Sequence, residues 1–230
     1  SKGLVCFFVT GPNFRTHYID LLLPMLNVKS DREFLDKAIL HYKKSRAGFD
    51  KLATYSAGDT TIHPQYLAKM IDDLANEDTI FCGDVGTITI WTARYLTMNG
   101  KRRIIGSFNN GSMATGLSQA IGAQATYPNR QVIAMCGDGG LSMLLGELIT
   151  VENFNLPIKI IVFNNSSYGF VQLELIEQGI YNSTAELKNP SFAKIAELVG
   201  IKGISINKPE DIEAGLKEAF AHNGPVLVDV

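Results

Sequence analysis

Six short runs rich in β-branched and other apolar residues, most of them separated by helical stretches, constrain this chain more than any other feature. The runs are Thr79–Cys82, Arg103–Ser107, Gln131–Cys136, Ile158–Phe163, Gly203–Ile206 and Val226–Val230. Between them, Met113–Ala125, Leu141–Asn153, Phe192–Val199 and Glu210–Ala221 read as helices. Strands apolar on both faces that alternate with helices pack as a parallel sheet covered on both sides. The reading is a doubly wound α/β domain with a mostly parallel sheet and helices on both faces.

Upstream, Phe34, Leu35, Ala38, Ile39, Tyr42 and Phe49 fall mostly at helical spacing and predict a helix from Asp31 to about Leu52. Tyr55–Thr61 is small and polar and reads as a loop. His63-Pro64 then opens a helix with Tyr66, Leu67, Met70, Ile71 and Leu74 on one face. Residues 1–20 show no clear period. The chain starts with Ser1 and stops inside the apolar run Pro225–Val230, so both ends read as cut and a larger parent protein is expected. The expected division is 1–57, a linker and helix leading from a preceding domain absent here, and 58–230, the α/β domain.

Composition removes several classes. With 21 Lys+Arg against 23 Asp+Glu and a net charge of −2, the chain lacks the basic surface that nucleic-acid binding needs. The 46% hydrophobic content suits a packed core. Cys6, Cys82 and Cys136 are widely spaced without a CxxC, which argues against a disulfide framework or structural zinc and for a reducing cytoplasm. Cys82 and Cys136 end predicted strands and read as small buried hydrophobes. No apolar run approaches the ~18–20 residues that span a bilayer. Leu4–Val9 is too short and too weakly flanked for a signal peptide.

Doubly wound sheets bind ligands in the loops at the carboxyl ends of their strands. Four segments qualify: Gly83–Thr87, Phe108–Met113, Gly137–Gly140 and Asn164–Phe170. At Gly137-Asp138-Gly139-Gly140 a strand runs through glycines into a helix, an arrangement that favours phosphate. A dinucleotide turn fits poorly, because Ser142 holds the third glycine position and no acidic residue ends the next strand at Phe163-Asn164-Asn165. A Walker A loop fails for want of GK[ST]. Asp138 would repel a phosphate by several kcal/mol in a partly buried site. A divalent cation between the two resolves the conflict, and Mg²⁺ takes one or two protein oxygens plus phosphates and water. Asn165, one helix and one strand further on, offers a neutral oxygen as second ligand. Asp-Gly and Asn-Asn are also common turn residues. Their joint occurrence in consecutive loops favours the metal.

GDGG at 137–140 followed by NN at 164–165 resembles the cofactor motif of the thiamine-diphosphate-dependent enzymes. The segments GDVGTITIWTARYL (83–96), NGKRRIIGSFNNGSMATGLSQAIGAQAT (99–126), AMCGDGGLSMLLGEL (134–148), KIIVFNNSSYGFVQLE (159–174) and GPVLVDV (224–230) look like the pyruvate oxidase and quinone-dependent pyruvate dehydrogenase family. The resemblance covers roughly residues 31–230 and leaves 1–17 unassigned.

It implies a thiamine-diphosphate-binding domain of the PP type. Asp138, the side chain of Asn165 and the main-chain carbonyl of Ser167 would hold Mg²⁺. The N–H groups of Gly139 and Gly140, with Gly86 and Thr87, would hold the diphosphate. Gly111 and Ser112 would line the aminopyrimidine beside Met113, the wedge that bends the cofactor so that its amino group reaches the thiazolium. Ser166, Tyr168, Gly169, Phe170 and Val171 complete the cofactor-binding positions. Val85, Phe170 and Glu174 match positions on the substrate side, with a core aromatic and a solvated helix residue as the plain alternatives for Phe170 and Glu174. Trp91 is expected to pack, and His17, His41, His63 and His222 carry no catalytic role.

The implied activity is oxidative decarboxylation of pyruvate to acetate and CO₂, with electrons passing through FAD to quinone. The FAD domain, the domain with the activating Glu and the amphipathic tail that reaches the membrane are absent, so the chain alone should not turn over. The resemblance also implies a homotetramer, cytoplasmic with peripheral inner-membrane association through that tail. An acetolactate synthase-like enzyme is the alternative within the cofactor class. A nicotinamide-dependent dehydrogenase domain and a non-catalytic assembly module are the alternatives outside it.

Overall fold

The structure is a computed structural model that describes residues 19–27, 30–56, 58–181 and 184–230. The readings on residues 1–17 lie outside these. Contacts divide the chain into two compact units, Ser1–Ser45 and Arg46–Val230. In the first, a 3₁₀ turn at Leu23–Met25 precedes the start of helix α1 (Glu33–Leu52). None of the α1 residues is fully buried.

The second unit holds six parallel strands: β1 (Ile80–Gly83), β2 (Arg103–Gly106), β3 (Val132–Gly137), β4 (Lys159–Phe163), β5 (Lys202–Ser205) and β6 (Val226–Asp229). Their order across the sheet is β2-β1-β3-β4-β6-β5, with every adjacent pair parallel. This is the doubly wound α/β fold expected. The chain moves from β1 outward to β2, then returns to the other side of β1 for β3. Such a reversal opens a crevice at the carboxyl ends of the two strands, where ligands of these sheets bind.

Side chains alternate between two cores, as the period of two along a strand requires. Phe81, Ile133, Met135, Ile161 and Val228 face a cluster with Leu67 and Ile71 of α2 (Pro64–Leu74) and with Ile88 and Leu216. Ile80, Val132, Ala134, Ile160 and Leu227 face the other, with Leu117, Leu148 and Phe192. Pro64 occupies the first turn of α2, where its missing N–H costs nothing. Phe49 and Ala53, at the end of α1, join the first cluster.

The remaining helices are α3 (Thr87–Tyr95), α4 (Thr115–Thr126), α5 (Asp138–Met143), α6 (Glu147–Asn153), α7 (Gly169–Glu177), α8 (Phe192–Leu198) and α9 (Ile212–Ala221). Three expectations need correction. Burial on both faces holds for β1, β3 and β4, but β2 lies at the sheet edge and alternates between exposed and half-buried. The single helix expected at 141–153 is two. Its middle tightens into i→i+3 bonds, Leu144 N to Leu141 O at 3.2 Å and Glu147 N to Leu144 O at 3.0 Å, with Gly146 at the break. And α4 begins at Thr115 rather than Met113, because Ala114 adopts a left-handed φ of 66°. Met113 is thereby left in the loop.

Cys82 and Cys136 are buried and free, as expected, and burial pushes the Cys82 thiol up to about 12. Lys159, buried where β4 begins, donates Nζ to the carbonyls of His222 at 2.5 Å and Gly224 at 2.8 Å. It lies at the amino end of the strand, away from the crevice. No helix among the described residues is long and apolar enough to cross a membrane.

Candidate cofactor and metal site

All four loops singled out in the sequence contribute residues to one cavity of about 170 Å³ at the switch point. The loop after β1 brings Val85, Gly86 and Thr87; the loop after β2 brings Gly111 and Met113. The end of β3 brings Gly137 through Gly140. The end of β4 brings Asn165, Ser167 and Tyr168, with Gly169, Phe170 and Val171 from the first turn of α7. Three expected residues lie off this wall. Glu174 is solvent-exposed a turn further along α7. Ser112 is exposed, its N–H donating to Ser107 Oγ at 3.2 Å. Ser166 is exposed and shapes the loop from a left-handed φ of 55°. Trp91 is half-buried against the first core, as a packing residue should be.

Local conformation explains why this chain builds a cradle. Gly86 has φ 124° and ψ −149°, a region essentially closed to side-chain-bearing residues, and it leads directly into α3. The first turns of α3 and α7 both abut the cavity, so free N–H groups and the positive ends of two helix dipoles meet there. Side chains would close the gap. A Cβ on Gly169 would lie 2.9 Å from Thr87 Cγ2, and one on Gly139 would run into the Tyr168 ring.

Asp138 is the electrostatic centre. Its side chain is only 2% exposed, yet its partners are neutral N–H donors: Gly139 N to Oδ1 at 2.9 Å and Asn189 Nδ2 to Oδ2 at 2.7 Å. No basic side chain pairs with it among the described residues. A buried carboxylate without a counter-charge is expensive, by several kcal/mol. A divalent cation in the adjoining cavity would remove that cost. The donors available are one carboxylate, the Asn165 amide and main-chain carbonyls, a hard oxygen set that suits Mg²⁺. No group of three or more His, Cys, Asp or Glu gathers elsewhere among the described residues to hold a metal.

The two adjacent asparagines divide their work. Asn165 lines the cavity, and its Oδ1 accepts the Ser167 N–H at 3.1 Å, tightening the turn. Asn164 turns inward, donating to Asp229 Oδ1 at 2.9 Å and accepting from Asn189 at 2.8 Å.

Two polar residues escaped the sequence reading. Asn189 is one. The other is Asp84, 1% exposed, whose Oδ1 accepts from Val85 N at 2.9 Å and Thr115 N at 3.2 Å. It caps α4 from another strand end, since Ala114 at the cap position has no side-chain acceptor. Burial raises its carboxyl above the usual range, and backbone N–H donors partly offset this. The only signal was its place in the loop after β1.

Fold and site together define an α/β domain with a strand-end cradle suited to a phosphorylated cofactor. Residues 84–230 match the family described as thiamine pyrophosphate enzyme, C-terminal TPP binding domain, and the chain belongs to that family. YdaP of Bacillus subtilis (strain 168), named for containing thiamine pyrophosphate, is 35% identical over the whole chain, which covers 38% of YdaP. The acetolactate synthase large subunit of Porphyra purpurea is 38% identical over 74% of the chain and 29% of the synthase. The large subunit from Lactococcus lactis subsp. lactis (strain IL1403) is 32% identical over 91% of the chain and 36% of its own length. The chain therefore spans less than two-fifths of each of these relatives.

Proposed function

We propose that this chain is the Mg²⁺- and diphosphate-binding part of an acetolactate synthase-like enzyme, which decarboxylates one 2-oxo acid and joins the remaining fragment to a second. The observation that carries the cofactor reading is the buried Asp138, without a counter-charge among the described residues, on the same cavity wall as Asn165. The synthases among the relatives support the finer reading. Bound thiamine diphosphate would supply a carbon nucleophile for the keto carbon and a sink for the electron pair released with CO₂.

The residues divide the rest. Asp138, Asn165 and the Ser167 carbonyl would hold Mg²⁺ against the diphosphate, and the N–H groups in the first turns of α3 and α7 would be available to its oxygens. Met113 would support the bend of the cofactor. Phe170 and Val171 line the cavity and would offer apolar surface beside the cofactor. The pyruvate oxidase reading rests on the run 101–174, and the FAD, quinone and membrane tail it entails find no support in the names of these relatives.

One assay separates the readings. The full-length protein is incubated with pyruvate, thiamine diphosphate and Mg²⁺, and scored for acetolactate and for reduction of an artificial electron acceptor. Acetolactate without acceptor reduction is expected. Acceptor reduction without acetolactate would overturn the synthase reading in favour of the oxidase.

A further inference from the structure

The segment between α7 and α8 reaches back to the candidate metal site at three points. Tyr168 N donates to Ala185 O at 2.9 Å, and Leu187 N donates to Ser166 O at 2.8 Å. Between them, Ser167 and Glu186 form an antiparallel bridge. This clips residues 185–187 along the turn that carries Asn165 and the Ser167 carbonyl. Two residues further on, Asn189 Nδ2 gives one proton to Asp138 Oδ2 at 2.7 Å and the other to Asn164 Oδ1 at 2.8 Å. Asn164 in turn is fixed by Asp229, whose second oxygen accepts the Phe192 N–H at 2.9 Å. The strap thus touches the turn of Asn165 and Ser167 through its backbone and Asp138 through one side chain.

We infer that Asn189 is a positioning residue: it fixes the Asp138 carboxylate against the Asn165 turn and so sets the preference of the site for Mg²⁺ over larger cations. The physical ground is geometric. Two short hydrogen bonds, one to each Asp138 oxygen, leave the carboxylate plane little freedom. Both Asn189 amide protons are engaged, so the amide cannot turn without breaking a bond at each end. Mg²⁺ demands near-ideal octahedral geometry at about 2.0–2.1 Å, whereas Ca²⁺ accepts longer and more irregular ligation. A carboxylate locked in one orientation favours the stricter ion; a loosened one forfeits that advantage. Groups that orient metal ligands in this way are typically worth about 10–100-fold in metal affinity.

The inference rests on the metal assignment proposed above, and the test keeps the two apart. Mg²⁺ and, separately, Ca²⁺ are titrated calorimetrically into the full-length protein with saturating thiamine diphosphate, for wild type, Asn189→Ala and the near-isosteric Asn189→Leu. Wild type without metal-dependent cofactor binding would defeat the metal assignment itself. With wild type binding, both variants should lose about 10–100-fold in Mg²⁺ affinity and clearly less in Ca²⁺ affinity. Unchanged Mg²⁺ affinity, or equal losses for both ions, would overturn the role of Asn189. Should the variants fold poorly, Asn164→Leu removes the outer acceptor of the Asn189 amide, together with the bond from Asn164 to Asp229, and leaves Asn189 in place. It should narrow the Mg²⁺/Ca²⁺ preference in the same direction, and an unaltered preference would contradict the inference.

Discussion

At Gly140 the chain leaves no room for even one methyl group: a Cβ there would run into Asp84 Oδ2 and lie 3.3 Å from Ala114 N. The obstacle is a buried carboxylate already held by backbone donors, so it cannot swing aside without uncapping α4. Overpacking of this kind costs about 1–3 kcal/mol. Gly140→Ala should therefore lower the urea midpoint with an unchanged slope; an unchanged midpoint would mean that the loop has slack. Asp138 and Asn165 were legible in the sequence because each stands in a strand-end loop next to residues of the same chemical bent. Asn189 was not. Its bond to Asp138 joins residues 51 apart, and which strand-end loops meet depends on a sheet order that the run of elements leaves open. Glu174 was read as either a substrate-side group or a solvated helix residue, and on this chain the turn of α7 leaves it exposed and off the cavity wall.

The elements themselves were read to within a residue or two at the strands, because four of them are buried or nearly so along their whole length and leave a plain apolar signature. Helix boundaries near the cavity were harder. The break between α5 and α6 and the delayed start of α4 both come from backbone turns imposed by the site, and periodicity carries no trace of them. Asp84 makes one such boundary testable. Asp84→Ala leaves the Thr115 N–H without its acceptor and should cost about 1–2 kcal/mol, as other lost caps do. That corresponds to a fall in Tm of about 2–4 °C per kcal/mol for a domain of this size. Titration gives a second check. Burial raises the folded-state carboxyl above its ordinary 3.8, so the folded chain binds the proton more readily than the unfolded one. Stability then declines as pH rises from 3.8 through the raised value. Asp84→Asn keeps an acceptor for the cap and removes the charge. Its stability relative to wild type should rise from pH 3.8 towards neutrality, and parallel profiles would show that Asp84 carries no burial cost.

For the whole molecule, the net charge of −2 posed the question of how an anionic cofactor is held at all. The arrangement offers local charge: helix N-termini, and a buried carboxylate that would take a cation between itself and the diphosphate. The family's longer members extend well beyond this stretch, which covers 38% of YdaP. We expect turnover to need residues from outside it. The 230-residue chain, assayed alone with pyruvate, thiamine diphosphate and Mg²⁺, should form no acetolactate and reduce no acceptor; steady turnover by the pure chain would contradict this. The central claim is more direct, namely that Asp138 binds the cofactor through a divalent ion. It is tested by calorimetric titration of thiamine diphosphate into the full-length protein, with and without Mg²⁺, for wild type and Asp138→Ala. Binding by wild type only when Mg²⁺ is present, lost in the variant, is the predicted result. Binding that ignores Mg²⁺, or an affinity that survives Asp138→Ala, would contradict it.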